Sequence, residues 1–195
     1  MSLRFYLKNG VGFLEFYQNE ERNLIRRISG WVVDIVVALA FAWFCLTFFG
    51  TQVTMSGQSM QPLLNSGDVV LMNRLVYDFG KPKRMDVIVF ERDDKKTYVK
   101  RVIGVPGDVV QIKSGQIYVN DEVLDETELG KVALAGLAEN PVEMGEKEYF
   151  LLGDNRDSSE DSRFANVGNV KEEQILGKVW LRISPLIDFS LIRSR

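Results

Sequence analysis

Two residues could do chemistry together. Ser59 lies in Ser56-Gly57-Gln58-Ser59-Met60-Gln61-Pro62, and Lys100 lies in Tyr98-Val99-Lys100-Arg101-Val102-Ile103-Gly104. The chain has no histidine, so one chain cannot build a Ser-His-Asp triad. A serine nucleophile here needs another base, and a neutral lysine can serve. Gly57 permits a close approach of backbone to ligand, and Pro62 restricts the turn that follows. Such a junction can present a hydroxyl and a backbone amide to one carbonyl. Taken singly, each residue has a plainer reading: Ser59 as a turn serine, Lys100 as a surface cation.

Strand alternation sharpens the case for Lys100. Tyr98, Lys100 and Val102 point to one face, while Val99, Arg101 and Ile103 point to the other. One of two adjacent cations must then face inward unless the strand is an open edge. A buried ammonium loses hydration and its pKa falls, which makes it a base near neutral pH.

A third polar stretch ends a strand: Gly153-Asp154-Asn155-Arg156-Asp157-Ser158-Ser159-Glu160-Asp161-Ser162-Arg163. Short polar side chains bond their own backbone, fix a loop and orient side chains from elsewhere. A calcium loop would need a glycine and a final glutamate at set spacings. Both are missing, and Arg156 interrupts the acids, so no metal site is expected.

These elements need a support. Trp31 to Phe49 is almost wholly apolar, with Asp34 near its start. Nineteen helical residues rise about 28 Å, close to a bilayer core of about 30 Å. A transmembrane helix is therefore expected at 31–50. A buried core helix is the alternative, and the lack of a polar face opposes it. A cleaved leader would have a shorter apolar core. Arg22, Arg26 and Arg27 precede the span, and no charge follows it until Asp68. The positive-inside rule puts residues 1–30 in the cytoplasm and 51–195 outside. Phe13, Phe16, Tyr17, Leu24, Ile25 and Ile28 could line an interfacial helix; a poorly ordered tail fits equally well.

The exported part reads as β-rich. Strands are expected at Val53–Met55, Asp68–Leu75, Val87–Phe90, Tyr98–Val105, Val109–Ile112, Ile117–Val119, Tyr149–Leu152 and Lys178–Ile183. Lys113-Ser114-Gly115-Gln116 marks a hairpin. Many short strands joined by glycine turns predict a mainly β domain, an antiparallel coiled sheet or barrel. The stretch 124–148 is least regular, and Val132–Ala138 fits a short helix, a membrane-touching loop or plain surface. The net charge of −3 gives no reason to expect a nucleic-acid partner. Cys45, the single cysteine, excludes an internal disulfide and suits a buried small hydrophobe.

Taken in order behind one anchor, the three motifs resemble those of bacterial type I signal peptidase, the leader peptidase, in its short Gram-positive form. The resemblance covers roughly residues 30 to 184. It implies Ser59 as nucleophile, Lys100 as general base and Ser159 as the serine that orients the lysine. Asp161 and Arg163 match a structural pair, and Met60 a residue packed near the lysine and cleft. It implies no cofactor, a lipid bilayer as setting, and preproteins cut after small-x-small sites as substrates. Two positions depart from the pattern. Gly57 stands where some relatives have a serine that helps the oxyanion hole, and Leu63 follows Pro62 where a small residue or threonine is usual. Rival readings are a specialised Ser/Lys peptidase for pilus or surface-protein maturation, a self-cleaving repressor, and an inactive membrane-anchored assembly factor. Oligomeric state is not legible.

Overall fold

The computed structural model describes residues 3–125 and 131–193, with side chains from residue 25 onward. The chain divides into two compact units, Met1–Leu46 and Thr47–Arg195.

A single helix, α1, runs Leu3–Phe49. Gly10 and Gly12 do not break it, so the region before the span is helical rather than irregular. The side chains proposed for an interfacial face before Ile25 lie outside the described side chains. Ile25–Phe49 is long and apolar enough to cross a membrane. Its apolar part is the expected run from Trp31 to Phe49, preceded by Arg26 and Arg27. None of its side chains is buried; Trp31 is 71% exposed. A soluble core helix would hide those surfaces, so that alternative fails. Cys45 is half-exposed rather than buried.

The larger unit is antiparallel β, as the spacing of apolar runs and turns predicts. Its strands are β1 Thr51–Thr54, β2 Val69–Asn73, β3 Val87–Glu91, β4 Thr97–Gly104, β5 Val109–Lys113, β6 Gln116–Val119, β7 Glu122–Val123, β8 Val142–Glu143, β9 Glu148–Leu152, β10 Val170–Lys171, β11 Ile175–Ser184 and β12 Ser190–Leu191. One sheet has the order β1-β2-β11-β3-β4-β9-β10, with β12 also on β11; a smaller one has the order β7-β6-β5-β8. The large sheet is open, with β1 at one end and β10 at the other. Breaks in register along β11, between Val179 and Leu181 and between Arg182 and Ser184, bend that long strand. The four two-residue strands were not expected, being too short to show a period.

Strand β4 is central, bonded to β3 and β9, and its last six residues are buried. Val99 packs in one core cluster with Met55, Met60, Leu64, Val70, Met72, Val87, Val89 and Val179. On the other face Val102 packs with Ile88, Phe90, Tyr149 and Leu151. Both faces of the strand are therefore covered. That corrects the expectation of one buried and one exposed cation: Lys100 is 3% exposed and Arg101 only 1%.

Candidate active site

Ser59 sits in a tight turn between β1 and β2. Met55 N donates to Asp68 O and Gly67 N to Met55 O, which closes the ends of the excursion. Within it Gln61 N donates to Gln58 O and Leu64 N to Met60 O, and the Gln61–Pro62 peptide is cis. Gly57 has φ +84°, the left-handed region that favours glycine. This is a local backbone reason for glycine where some relatives have serine. Ser59 is half-buried, while Ser56, Gly57 and Gln58 are exposed. Met60 is wholly buried and pins the turn to the core. Arg182 ties the outer part down, donating to Leu63 O at 3.1 Å and Asp68 Oδ2 at 3.2 Å. Leu63 packs partly buried on the same cluster as Met60.

The polar stretch after β9 forms the other wall. Asn155 N donates to Ser59 O at 3.0 Å. Gly153 lies between the two parts. A Cβ there would stand 2.4 Å from Ser59 O and 2.2 Å from Ser159 Oγ. No other residue fits, because a Cβ contact that short does not occur. Ser159 is buried, and its hydroxyl has no hydrogen-bond partner among the described residues. A buried hydroxyl left unpaired is costly, and such groups recur where chemistry requires them.

Asp161 and Arg163 form a buried pair, with Nε to Oδ1 at 2.8 Å and Nη2 to Oδ2 at 3.0 Å. Asp161 Oδ2 also accepts Gly153 N at 3.1 Å. These contacts tie the start of the loop to its end.

Lys100 has no hydrogen bond or ion pair among the described residues. Burial pulls its ammonium down to about 8; Asp161 and Glu160 oppose that shift, and Arg163 and Arg92 reinforce it. Three of these neighbours, Asp161, Glu160 and Arg163, belong to the loop that holds Ser59; Arg92 lies on the turn between β3 and β4. No hydrogen bond joins Ser59, Lys100 and Ser159 among the described residues. Catalytic hydrogen bonds are often long in substrate-free sites and tighten in the complex.

Reading the sequence missed how its neighbour Arg101 is held. Arg101 is matched by Asp154, 53 positions on, through Nε to Oδ1 at 2.7 Å and Nη2 to Oδ2 at 2.6 Å. Its third nitrogen donates to Met85 O at 3.0 Å. Both charged groups are essentially fully buried. The clue was present: two adjacent strand cations, if both are buried, require a carboxylate partner. Asp154 stands between Gly153 and Asn155, so this clamp also fixes the backbone that grips Ser59.

A half-buried serine on a tight turn held by this polar loop, and a buried amine on β4 with no hydrogen bond among the described residues, are the kinds of group a serine hydrolase with a lysine base would need. The family model described as signal peptidase, peptidase S26, matches residues 28–184. The chain is 35% identical over 182 residues to signal peptidase IB of Staphylococcus aureus (strain COL), covering 84% of this chain and 93% of that protein. It is 37% identical over 172 residues to signal peptidase I of Bacillus caldolyticus, covering 82% and 91%. A crystal structure of a signal peptidase I from Enterococcus faecalis V583 aligns with 51% of this chain and 97% of its own, at 29% identity and a TM-score of 0.45. The chain belongs to the signal peptidase family, peptidase S26.

Proposed function

We propose that this protein is a membrane-anchored serine endopeptidase that removes N-terminal signal peptides from exported proteins, with Ser59 as nucleophile and Lys100 as general base. Family membership and the names of its relatives support the activity. The observation that carries the dyad is the burial of Lys100, with no hydrogen bond or ion pair among the described residues, near the loop that holds Ser59.

The scissile carbonyl is attacked by Ser59 Oγ while Lys100 Nζ takes its proton. The Ser59 backbone amide faces the developing oxyanion. Lys100, now an ammonium, gives the proton to the leaving amine and then activates the water that releases the acyl-enzyme. Ser159, Asp161 and Arg163 position these groups and do not react. The substrate is extended and adds along the open edge beside β1, which leads into the Ser59 turn. Small residues before the cut fit shallow pockets that reject large side chains. The apolar part of the helix, from Trp31 to Phe49, anchors the protein once through the bilayer, with Arg22, Arg26 and Arg27 on the cytoplasmic side. It holds the enzyme near emerging precursors and raises their effective concentration. Nothing in the fold favours the specialised peptidase or the inactive assembly factor.

The base sets the pH dependence. With Lys100 near 8, about 10% is neutral at pH 7, against about 0.03% for an ordinary lysine. Cleavage of a precursor by the detergent-solubilised full chain should therefore rise about tenfold per unit below pH 7, about fivefold from pH 7 to 8, and level off towards pH 9. A rate that is flat from pH 6 to 9, with the protein folded throughout, rules out an amine base.

A further inference from the structure

Val132–Ala138 lies in 124–148, the least regular stretch of the sequence. Two of its side chains, Val132 and Ala138, are buried in the cluster that includes Val110, Ile112, Ile117 and Val119 of the smaller sheet. Val132 N also donates to Gly115 O at 2.9 Å. Leu134 and Leu137 point outward, 56% and 46% exposed. The apolar side chains therefore account for anchoring the stretch, and not for what its backbone does.

That backbone grips Arg163 from two sides. Leu137 N donates to Arg163 O at 2.8 Å, and Arg163 Nη1 donates to Leu134 O at 3.0 Å. Gly136 lies between these contacts at φ +58°. A Cβ there would stand 2.3 Å from Arg163 O and 3.1 Å from Arg163 C. Only glycine allows the two backbones to approach this closely.

The remaining donors of the Arg163 guanidinium all enter the active-site loop. Nε and Nη2 reach Asp161, and Nη2 also reaches Arg156 O at 2.7 Å and Ser159 O at 3.4 Å. Asp161 passes the constraint to Gly153 N, and Gly153 packs on Ser59 O and Ser159 Oγ. One guanidinium therefore joins the 134–137 backbone to the walls of the site.

We propose that residues 134–137 are a positioning element for the Ser59–Lys100 site: they fix Arg163, and through it the Asp161 carboxylate and the Ser159 main chain. The proposal rests on the function proposed above. It gives the smaller sheet a part in catalysis, because that sheet holds 134–137 in place through Val132 and Ala138. Asp161 and Arg163 act on the Lys100 charge with opposite signs, so displacing one against the other changes the base as well as the geometry.

The test compares two glycines with the same backbone requirement. Gly136 has φ +58° and Gly168 has φ +59°. A Cβ at Gly168 meets nothing within 4 Å, whereas one at Gly136 meets Arg163. Gly136→Ala and Gly168→Ala therefore share the backbone strain and differ in the push on Arg163. For the full chain in detergent, kcat, KM, unfolding midpoint and the pH dependence of cleavage are measured for both. Gly168→Ala is expected to keep the wild-type kcat, KM and pH limb, its unfolding midpoint lowered only by the backbone strain the two variants share. Gly136→Ala is expected to lose about 10–100-fold in kcat with KM little changed. Its acid limb should move up by about half a pH unit, since Asp161 less well matched by Arg163 favours the charged lysine.

A purely structural link would lower the unfolding midpoint and leave the pH limb in place. That result overturns the proposal, as does a Gly136→Ala enzyme with the kcat of Gly168→Ala. If Gly136→Ala does not fold, Leu137→Pro is judged by the same criteria. It deletes the amide bonded to Arg163 O near the start of a 3-10 turn, where proline's φ is compatible. Lys100→Met, run alongside, separates the two levels. If it remains active, the dyad reading falls and the positioning role with it. If it is inactive while Gly136→Ala is unaffected, only the positioning role falls.

Discussion

Lys100→Met is expected to abolish signal-peptide cleavage and, at pH 7, to stabilise the fold. Methionine nearly matches the lysine stem in shape and removes the proton acceptor. The wild-type ammonium is buried without a counter-ion among the described residues, and burial lowers its pKa from 10.5 to about 8. A depressed lysine pKa means that the unfolded chain holds this proton more tightly than the folded one. The cost to stability is therefore complete below pH 8, shrinks as pH rises from 8 to 10.5, and vanishes above that. The gap corresponds to about 3 kcal/mol at most. Denaturant unfolding in detergent should show the variant more stable than wild type at pH 7, with the difference closing towards pH 10.5. A variant that is both inactive and less stable at pH 7 would mean that Lys100 is held by interactions favouring its charge. It would then be a poor base. Surface lysines do not behave in the expected way, because replacing them shifts stability by only a few tenths of a kcal/mol.

The largest loss of stability is expected from Asp154→Ala. Arg101 and Asp154 are each about 1% exposed and meet through two short bonds. Removing one partner leaves a buried charge uncompensated, which costs about 3–5 kcal/mol. Catalysis should fall as well, because Asp154 lies between Gly153, packed on Ser59 O, and Asn155, whose amide holds that same carbonyl. Replacing both partners with apolar residues, Arg101→Met with Asp154→Leu, should recover most of the stability. Activity should recover less, since an apolar pair packs without dictating the loop's register. Equilibrium unfolding of the single and double variants measures the coupling between the two sites. A loss below about 1 kcal/mol for Asp154→Ala would show that the loop relaxes around the exposed guanidinium, and that the clamp does not set the site.

How far the sequence reveals this molecule depends on the range of the interactions. The apolar span and the eight longer strands are visible because periodicity and composition act locally. The two-residue strands at Glu122, Val142, Val170 and Ser190 are not visible; they exist only because a neighbouring strand offers its edge. Ser59, Lys100 and Ser159 are singled out by a motif and not by periodicity. Physics alone left Lys100 and Arg101 as alternatives, because alternation predicts one buried cation and β4 has both faces covered. Asp154, which makes a buried Arg101 tolerable, is 53 residues away, and nothing local ties the two. The grip of Leu134 and Leu137 on Arg163 was beyond reach for another reason. Both contacts use backbone groups of the 134–137 stretch, and every residue carries those. Gly136 was the one visible trace, since a glycine amid small apolar residues marks a close approach only once its neighbour is known.

The central claim, that Ser59 cleaves signal peptides with an amine base, is tested most directly by cleavage of a signal-peptide-bearing precursor by the wild-type chain and by Ser59→Ala. The new N-terminus is mapped by mass spectrometry. The account predicts a single cut after a small-x-small site by the wild type and none by the folded Ser59→Ala protein. Undiminished cleavage by Ser59→Ala at the same site would contradict it, because that variant lacks the hydroxyl assigned as the nucleophile.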